Sequence, residues 1–400
     1  MKLKVAVLFG GKSVEHEVSI ISGLQALKNI DTEKYDAFPV YITKKNEFYM
    51  GEGFEDIKNY TDIEALLKRG TKVGLVNEDG VLKFEETRKK GFFGKPFSQE
   101  VDLALPVVHG TNEEDGTLQG YLKTIGLPFA GCDVTASAVG MDKYVQKALL
   151  KENDIPVLPA MLFNLGDYAK MDDMIARIEE KIGYPVIVKP VDLGSSVGIS
   201  VAKDRAALVD SLDDAFLYAG RVLCEHAITN LREVNCAVLG NEVEAMASEI
   251  EEPMHTEEIL SYEDKYMGNG SKSAAKDGGS KGMASLSRQI PANVPAELRD
   301  RIRDLAVKSF QVMGCNGVSR IDFMIDSDTN ELYFNEINTI PGSLAFYLFE
   351  PLGIPYKELL DRIIDLAEER KRKEQSITYS FDTNILKNAS IGGGSKGAKN

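Results

Sequence analysis

The sequence has few cysteines, few histidines and no long apolar run. Its four cysteines are scattered without CxxC spacing and its four histidines form no HExxH pair, so neither a zinc site nor a disulfide framework is predicted. No apolar run approaches the ~18 residues of a membrane helix. The apolar start, MKLKVAVLFGG, is too short for a signal peptide and leads directly into a strand. We therefore expect a reduced, cytoplasmic protein without a membrane partner.

Basic residues are also scarce relative to acidic ones. The chain has 47 Lys and Arg against 62 Asp and Glu, a formal net charge of −15. Binding to nucleic acid depends on clustered Lys and Arg, so this balance argues against a nucleic-acid partner. A hydrophobic content of 43% with 27% charged residues is typical of globular proteins, and 400 residues allow two or three domains. Small molecules are the expected partners.

The N-terminal part alternates strand-like and helix-like segments. Residues 4–9 form a buried-type strand that ends in a Gly-Gly turn before a helical segment, and further strands are predicted at residues 37–42 and 101–107. This alternation predicts a doubly wound α/β unit. His109 follows a strand end, where such sheets bind their ligands, although a purely structural histidine is the alternative. The glycine turn does not match GxGxxG, so a dinucleotide site is not indicated.

A lysine and a Gly/Ser loop follow a central strand in YPVIVKPVDLGSSVGISVAKD. Residues 186–188 are predicted to form a strand ended by Lys189, and residues 194–198 form a loop before a second strand at 199–202. Backbone N–H groups and hydroxyls of such a loop can wrap phosphates, while the lysine supplies a point charge. A Walker A motif is absent, and an ordinary hairpin loop is the alternative.

The stretch 318–344 contains a predicted β-hairpin with a polar face. Its two strands flank the turn sequence Asp-Ser-Asp-Thr-Asn. Alternation places Arg320 and Asp322 on one face of the first strand, and Glu336 and Asn338 on one face of the second. Carboxylate and amide oxygens suit Mg²⁺, and an adjacent arginine can hold an oxyanion. The alternative is a surface hairpin with a solvated polar face.

One segment is too rich in Gly, Ser and Lys to bury a core. Residues 267–287 are predicted to form a flexible loop, for which an active-site lid and an insertion without function are both open interpretations. Amphipathic helices are predicted at residues 297–313 and 356–374. The last nine residues, 392–400, are predicted to be a flexible tail.

Several stretches together resemble a known family. They are LFGGKSVEHEVSIISG, HGTNEEDGTLQGYL, GLPFAGCDVTASAVGMDK, YPVIVKPVDLGSSVGIS, SYEDKY, and SRIDFMIDSD through FNEINTIPG. In this order they resemble the ATP-grasp superfamily and, more closely, the D-alanine:D-alanine ligase family. The resemblance implies an α/β ATP-grasp fold with an N-terminal Rossmann-like domain (1–125), a small central α+β lid domain (126–218), a C-terminal α+β catalytic domain (219–375) and a tail (376–400).

The resemblance also implies an activity. In such ligases the carboxylate of one D-alanine attacks the γ-phosphate of ATP, and the amine of a second D-alanine then attacks the resulting acyl phosphate to give a peptidoglycan precursor. ATP as a substrate, Mg²⁺ or Mn²⁺ as two ions, and a homodimer are implied with it. Two alternatives stay open: an ATP-grasp ligase that couples D-alanine to D-lactate, D-serine or another acceptor, and a non-catalytic ligand-binding relative.

Matching motifs assign roles to individual residues. The first substrate is assigned to Glu15, at its ammonium group, and to His109, at its carboxylate. The residues assigned to ATP are Lys143 and Lys189 at the phosphates, Glu225 at the adenine edge, Glu233 at the ribose, and Ser196. The residues assigned to the metal ions are Asp322, Glu336 and Asn338.

The remaining roles concern the reacting groups and the closed site. Ser195 is expected to link Glu15 to Tyr266, and Lys265 precedes Tyr266 at the root of the 267–287 loop, where it is expected to bind substrate. Arg320 is expected to stabilise the acyl phosphate and the tetrahedral intermediate, and Gly342 to direct a backbone N–H at the same oxyanion.

The chain departs from the family pattern at the second substrate. The family usually has a serine four residues after Pro-Gly, whose hydroxyl and following backbone hold the acceptor carboxylate. This chain has Tyr347 there, followed by Leu348, so either the backbone shifts, Ser343 substitutes, or the acceptor differs. The lengthened loop 267–287 is a second departure that adds positive charge near the same subsite.

Overall fold

The computed structural model describes residues 2–87, 96–194, 197–254 and 288–380. Within these ranges the strands form three sheets. No described helix is long and apolar enough to cross a membrane. Because the predicted segments Ser195–Ser196, Lys265–Tyr266, 267–287 and 392–400 fall outside these ranges, the expectations for them stay predictions.

The N-terminal sheet has seven strands. They are β1 (Leu3–Gly10), β2 (Tyr35–Ile42), β3 (Phe48–Met50), β4 (Thr71–Glu78), β5 (Val81–Glu86), β6 (Ser98–Glu100) and β7 (Leu103–Pro106). Their order is β6-β5-β4-β3-β2-β1-β7, and β1 lies parallel to both β2 and β7. Residues 5–9 are fully buried, as a strand covered on both faces requires. The predicted α/β pattern is confirmed for these three parallel strands.

Helices α1 (His16–Asn29), α2 (Ile63–Arg69) and α3 (Thr117–Ile125) accompany this sheet. The antiparallel strands β3 to β6 differ from the predicted alternation of strands with helices. They are short or half-exposed, and their polar residues hide the period-2 pattern that identifies a strand. The predicted strand 101–107 is shorter in the structure, where β7 covers four residues.

The central sheet is antiparallel and has four strands. They are β8 (Ala160–Asn164), β9 (Val186–Pro190), β10 (Ser200–Ala202) and β11 (Arg221–His226), in the order β10-β9-β11-β8. Helices α6 (Met171–Lys181) and α7 (Arg205–Tyr218) bury their apolar residues against it. A helix pair, α4 (Val134–Met141) and α5 (Lys143–Glu152), precedes the sheet along the chain. The described ends of the predicted Gly/Ser loop, Gly194 and Val197, lie between β9 and β10 along the chain.

The C-terminal sheet has five strands. They are β12 (Leu231–Gly240), β13 (Ala245–Pro253), β14 (Arg288–Gln289), β15 (Gly317–Asp326) and β16 (Glu331–Asn338), in the order β14-β13-β12-β15-β16. Helix α8 (Ala296–Val312) covers one face, and helix α9 (Tyr356–Gln375) packs on the other. The two predicted amphipathic helices and the predicted β15–β16 hairpin are confirmed.

One apolar core joins the N-terminal and C-terminal sheets. It contains β1, one face of the C-terminal sheet through Leu239 and Val318, helix α9, and a 3₁₀ segment at Gly342–Leu348. That segment contacts α1 on one side and β15 on the other. Residues from both sheets are therefore held in fixed relation where the Pro-Gly motif lies.

Candidate active site

The β15–β16 hairpin carries the polar face predicted from its alternation. Asp322 lies opposite Glu336 and Arg320 opposite Asn338, so all four side chains share one face. Arg320 donates two hydrogen bonds to Asp322, from Nε to Oδ1 and from Nη2 to Oδ2, both at 2.7 Å. Asn338 Nδ2 donates to Asp322 Oδ2 at 3.1 Å. This bidentate geometry fixes the guanidinium beside the carboxylates.

A β-bulge interrupts the hairpin directly beside this face. Asp322 pairs with Glu336, but the next residue, Phe323, pairs with Phe334, so Asn335 is the extra residue. The Oδ1 atom of Asn335 accepts a hydrogen bond from Lys189 Nζ at 3.3 Å. The bulge thus connects the hairpin to the central sheet without moving Glu336 off the polar face.

The charge environment of Asp322 suits a divalent cation. Burial raises the pKa of Asp322 to about 6; Arg320 opposes the shift, whereas Glu336 and Glu251 add to it. A divalent cation between two carboxylates relieves this repulsion. Among the described residues no group of three or more His, Cys, Asp or Glu could hold a metal ion. Two carboxylates and an amide oxygen still fit Mg²⁺, which commonly takes its other ligands from phosphates and water.

Helix α5 delivers two lysines to this region. Asp142 caps the helix, since its Oδ1 accepts from the backbone N–H groups of Tyr144 and Val145 at 3.1 and 2.9 Å. Lys143 Nζ donates to the backbone oxygen of Leu193 at 2.8 Å, and lies 3.4 Å from Glu336 Oε2. Lys143 therefore joins the edge of the Gly/Ser loop to the polar face of the hairpin.

The second lysine of α5 was not identified from the sequence. Lys147 lies one turn after Lys143, on the same helix face, with its Nζ 2.6 Å from Glu225 Oε1. Lys189 Nζ donates to the other oxygen, Glu225 Oε2, at 2.9 Å. All three side chains are buried, Glu225 fully. We call Lys147, Glu225 and Lys189 the buried ion cluster.

The charges of the buried ion cluster shift the pKa values of its members. Burial alone would raise the pKa of Glu225, but Lys189 and Lys147 outweigh it and lower that pKa to about 2. Burial lowers the pKa of Lys147 despite Glu225, whereas Glu225, Glu336 and Glu233 raise the pKa of Lys189. The predicted adenine role of Glu225 and ribose role of Glu233 stay predictions. The contacts of Glu225 in the structure are with the two lysines.

Glu15 lies where three segments meet. It immediately precedes α1, and its backbone N–H donates to Ser13 Oγ at 3.2 Å. A Cβ atom at Gly110 would lie 2.9 Å from Glu15 Oε2, and one at Gly194 would lie 3.3 Å from the same oxygen. Gly110 also has a positive φ of 85°, which favours glycine. These glycines let the carboxylate reach the Gly/Ser loop and the loop after β7.

His109 connects the N-terminal sheet to the Pro-Gly segment. Its Nδ1 is 2.9 Å from the backbone oxygen of Ile340, and its Nε2 is 3.1 Å from Ser22 Oγ. A carbonyl can only accept, so Nδ1 carries the proton and Nε2 accepts from the Ser22 hydroxyl. Ser22 Oγ in turn accepts from the backbone N–H of Ser343 at 3.0 Å. The histidine is thereby anchored, and its substrate role stays a prediction.

The Pro-Gly segment folds into an unusual turn. Ser343, Leu344 and Ala345 have φ values of 51°, 53° and 50°, the left-handed region that non-glycine residues avoid. Leu344 and Ala345 are buried in the shared core, and Ser343 Oγ donates to Gln25 Oε1 at 2.6 Å. Core packing therefore holds a strained backbone directly after Gly342.

Tyr347 belongs to a cluster that the sequence did not reveal. Its hydroxyl donates to Glu251 Oε1 at 3.2 Å, and Arg288 Cζ lies 4.1 Å from its ring centroid. Arg288 also donates to Glu251 Oε2 at 2.8 Å, and Asn235 Nδ2 donates to Oε1 at 3.1 Å. Burial and Glu251 raise the pKa of Tyr347 to about 12, so its hydroxyl stays protonated. Leu348 is fully buried.

A cavity of about 280 Å³ opens beside this cluster, lined by Arg288, Ile290, Tyr347, Glu350 and Pro351. Glu251 and Arg288 lie on β13 and β14. No local sequence signal marks them, because their relation to Tyr347 arises only when the sheet forms. For Lys147 a signal was available: it is four residues after a lysine already assigned to phosphate binding.

Comparisons with known proteins decide the family. A family model described as "D-ala D-ala ligase N-terminus" matches residues 4–132, and one described as "D-ala D-ala ligase C-terminus" matches residues 149–365. The chain belongs to the D-alanine–D-alanine ligase family. A D-alanine–D-alanine ligase of Caldicellulosiruptor bescii is 43% identical over 95% of this chain and 99% of its own length.

Solved structures support the ATP-grasp fold of this family member. The D-alanine–D-alanine ligase from Coxiella burnetii superposes with a TM-score of 0.77 at 27% identity, covering 94% of this chain and 96% of that one. The VanG D-Ala:D-Ser ligase from Enterococcus faecalis superposes with a TM-score of 0.76 at 32% identity, covering 92% of this chain and all of that one. The predicted fold class is thereby confirmed.

Proposed function

We propose that this family member is an ATP-dependent ligase that joins two D-alanines into D-alanyl-D-alanine for peptidoglycan synthesis. The observation that carries the proposal is the position of Lys143. It contacts the backbone of Leu193 and the carboxylate of Glu336, which supports neighbouring positions for the groups proposed to bind phosphate and metal. ATP and both substrates carry carboxylates or phosphates, and the site offsets their negative charge with lysines and Arg320.

We take the roles of the residues from the family motifs, and their charges and contacts support them. Lys143 and Lys189 bind ATP phosphates, Glu15 binds the ammonium group of the first D-alanine, and His109 binds its carboxylate. Arg320 holds the acyl phosphate and the oxyanion of the tetrahedral intermediate, and the backbone N–H of Gly342 supports it. The fixed Arg320–Asp322 pair supports this assignment, because a preorganised donor needs no rearrangement as charge develops.

Asp322, Glu336 and Asn338 would hold Mg²⁺ or Mn²⁺ as two ions. A bound divalent cation would supply charge neutralisation at the ATP phosphates. Family resemblance supports a homodimer that acts in the cytoplasm. Light scattering of the purified protein tests the dimer, and a monomer at all concentrations would contradict it.

The identity of the acceptor, the second substrate, depends on the residues around Tyr347. Tyr347 takes the place of the family serine, and its hydroxyl is engaged with Glu251. This observation favours a second candidate function, in which D-alanine is joined to another acceptor. One structural relative at 32% identity is named a D-Ala:D-Ser ligase.

Phosphate release from ATP tests the reaction, with D-alanine and Mg²⁺ each present or omitted. We expect release only when both are present, and no release with any D-amino acid would contradict a ligase. Mass spectrometry of products from a panel of D-alanine, D-serine and D-lactate acceptors then separates the two functions. A dominant mixed product would replace D-alanyl-D-alanine as the assignment.

A further inference from the structure

The buried ion cluster contains more positive than negative charge. Lys147 and Lys189 face the single carboxylate of Glu225, which is fully buried. Each oxygen of Glu225 has its own partner, Oε1 near Lys147 and Oε2 near Lys189. Among these three side chains one positive charge is left over, and the carboxylates of Glu336 and Glu233 act on Lys189 from outside the cluster. A buried charge is costly unless it is paired, so such an excess indicates a place for an anion.

The three residues come from separate elements. Lys189 on β9 and Glu225 on β11 are diagonal neighbours on one face of the central sheet, because Lys189 pairs with Leu223 and Ile187 with Glu225. Lys147 approaches from α5, and the Lys147–Glu225 contact is an ion pair outside hydrogen-bonding angles. Lys147 thus interacts with Glu225 mainly through charge.

Two acceptors fix the orientation of the Lys189 ammonium group. Its ammonium group has three N–H donors; Glu225 Oε2 takes one at 2.9 Å and Asn335 Oδ1 takes another at 3.3 Å. Without Lys147, Glu225 would turn both oxygens to Lys189 and neutralise it. With Lys147 present, one oxygen of Glu225 and much of its charge are already committed.

We propose that Lys147 is a positioning residue for the nucleotide: by occupying one oxygen of Glu225, it leaves the ammonium group of Lys189 available to the phosphates of ATP. This inference rests on the proposed function, in which Lys189 binds those phosphates. Lys147 itself does not touch the nucleotide.

Titration calorimetry with Mg²⁺–ATP tests the inference. We expect Lys147→Met to weaken ATP binding by about tenfold, which corresponds to ~1.4 kcal/mol. The control is Lys151→Met, which removes an exposed lysine one turn further along α5 and should change the affinity less than about twofold. The KM for D-alanine should stay at the wild-type value in both variants.

The double variant Lys147→Met/Glu225→Gln separates positioning from simple structural support. Glutamine removes the charge that captures Lys189 but keeps an oxygen that can accept a hydrogen bond. We expect the double variant to bind ATP more tightly than Lys147→Met, because the two changes are coupled. A purely structural role of Lys147 would instead make the double variant bind ATP no better than Lys147→Met.

Two results would overturn the inference. One is a Lys147→Met variant that binds ATP as tightly as wild type, and the other is a double variant that shows no recovery. If Lys147→Met does not fold, the double variant is compared with Glu225→Gln alone: equal ATP affinity supports the inference, and a tenfold difference contradicts it. A wild-type protein that neither binds Mg²⁺–ATP nor releases phosphate would instead contradict the proposed function.

Discussion

Arg320, which we propose stabilises the acyl phosphate, is held in place by its neighbours. It is held by both oxygens of Asp322, and Tyr347 and Glu251 also act on its charge. The guanidinium is therefore oriented before any substrate arrives. A donor fixed in this way stabilises developing negative charge more than it stabilises bound ATP.

Replacing Arg320 with Met should separate catalysis from nucleotide binding. We expect the rate of phosphate release to fall by about 10²-fold or more, with ATP affinity largely kept. Steady-state rates and calorimetry measure the two quantities. Arg303→Met is the matched control. Arg303 lies on α8, outside the site, and its Nη2 is 2.9 Å from Glu249 Oε2. A loss of ATP affinity equal to the loss of rate would contradict the role of Arg320.

Glu225 links the site to stability through its charge. Its folded-state pKa of about 2 lies below the ordinary value of 4.5, so the ionised form is favoured by folding. The contribution is fully present above pH 4.5 and is lost as the pH falls toward 2. Compared with Glu225→Gln, the wild type should be more stable by roughly 3 kcal/mol at pH 7, with the difference shrinking below pH 4.5.

Urea unfolding of both proteins between pH 7 and about pH 3 measures this difference. Lys147 and Lys189 remain in the Gln variant, and their mutual repulsion adds to the loss. A difference that grows as the pH falls would show that the lysines do not stabilise the carboxylate.

At the scale of elements, the left-handed turn after Gly342 is held by packing and not by its own preference. Ala345 is fully buried with a φ of 50°, whereas Ala306 is fully buried in the right-handed helix α8. Glycine tolerates a positive φ at little cost, but it weakens a helix interior. The same substitution should therefore have different consequences at these two alanines.

We expect both substitutions to lower the free energy of unfolding. The loss should be smaller for Ala345→Gly than for Ala306→Gly, by about 1–2 kcal/mol. Both changes delete one buried methyl group, so the comparison isolates the backbone term. Thermal and urea unfolding of the two variants provide the measurement. Equal losses would mean that the turn is not strained.

Predictability also differs among the elements. The sequence predicts both the β15–β16 hairpin and its polar face, because the alternation of side chains and the turn residues indicate the same pairing. Two strands of the antiparallel part, β3 and β6, were missed because they have three residues each, too few to show a period of two. Glu251 and Arg288 were missed because their partners lie far along the chain, and sequence patterns report only local neighbours. For Lys147 the spacing of four residues from Lys143 was a local signal that was overlooked.

For the whole molecule, the shared core between the N-terminal and C-terminal sheets connects residues that we propose bind the substrates. Ser22 on α1 donates to His109 Nε2 and accepts from the backbone N–H of Ser343. One hydroxyl therefore joins the predicted first-substrate histidine to the segment that precedes Tyr347. Both ends of this connection are buried.

Replacing Ser22 with Ala would leave the buried N–H of Ser343 without this acceptor. We expect a loss of about 1–3 kcal/mol in the free energy of unfolding, together with a raised KM for D-alanine because His109 loses its donor. Ser137→Ala is the control, since Ser137 is equally buried but makes only a 3.5 Å bond to Cys132. An unchanged KM for D-alanine would argue against the substrate role of His109.

The bulge at Asn335 makes β16 a strand from which one residue can be deleted without a change of pairing. In a regular hairpin, deleting a strand residue turns every following side chain to the opposite face. Because Asn335 is the extra residue, its deletion would instead restore regular pairing and leave the flanking faces as they are. The fold would tolerate that deletion, whereas Lys189 would lose an acceptor. The length of β16 is therefore tied to the hydrogen bond between Asn335 and Lys189, and a relative with a shorter strand here would need another acceptor for its lysine.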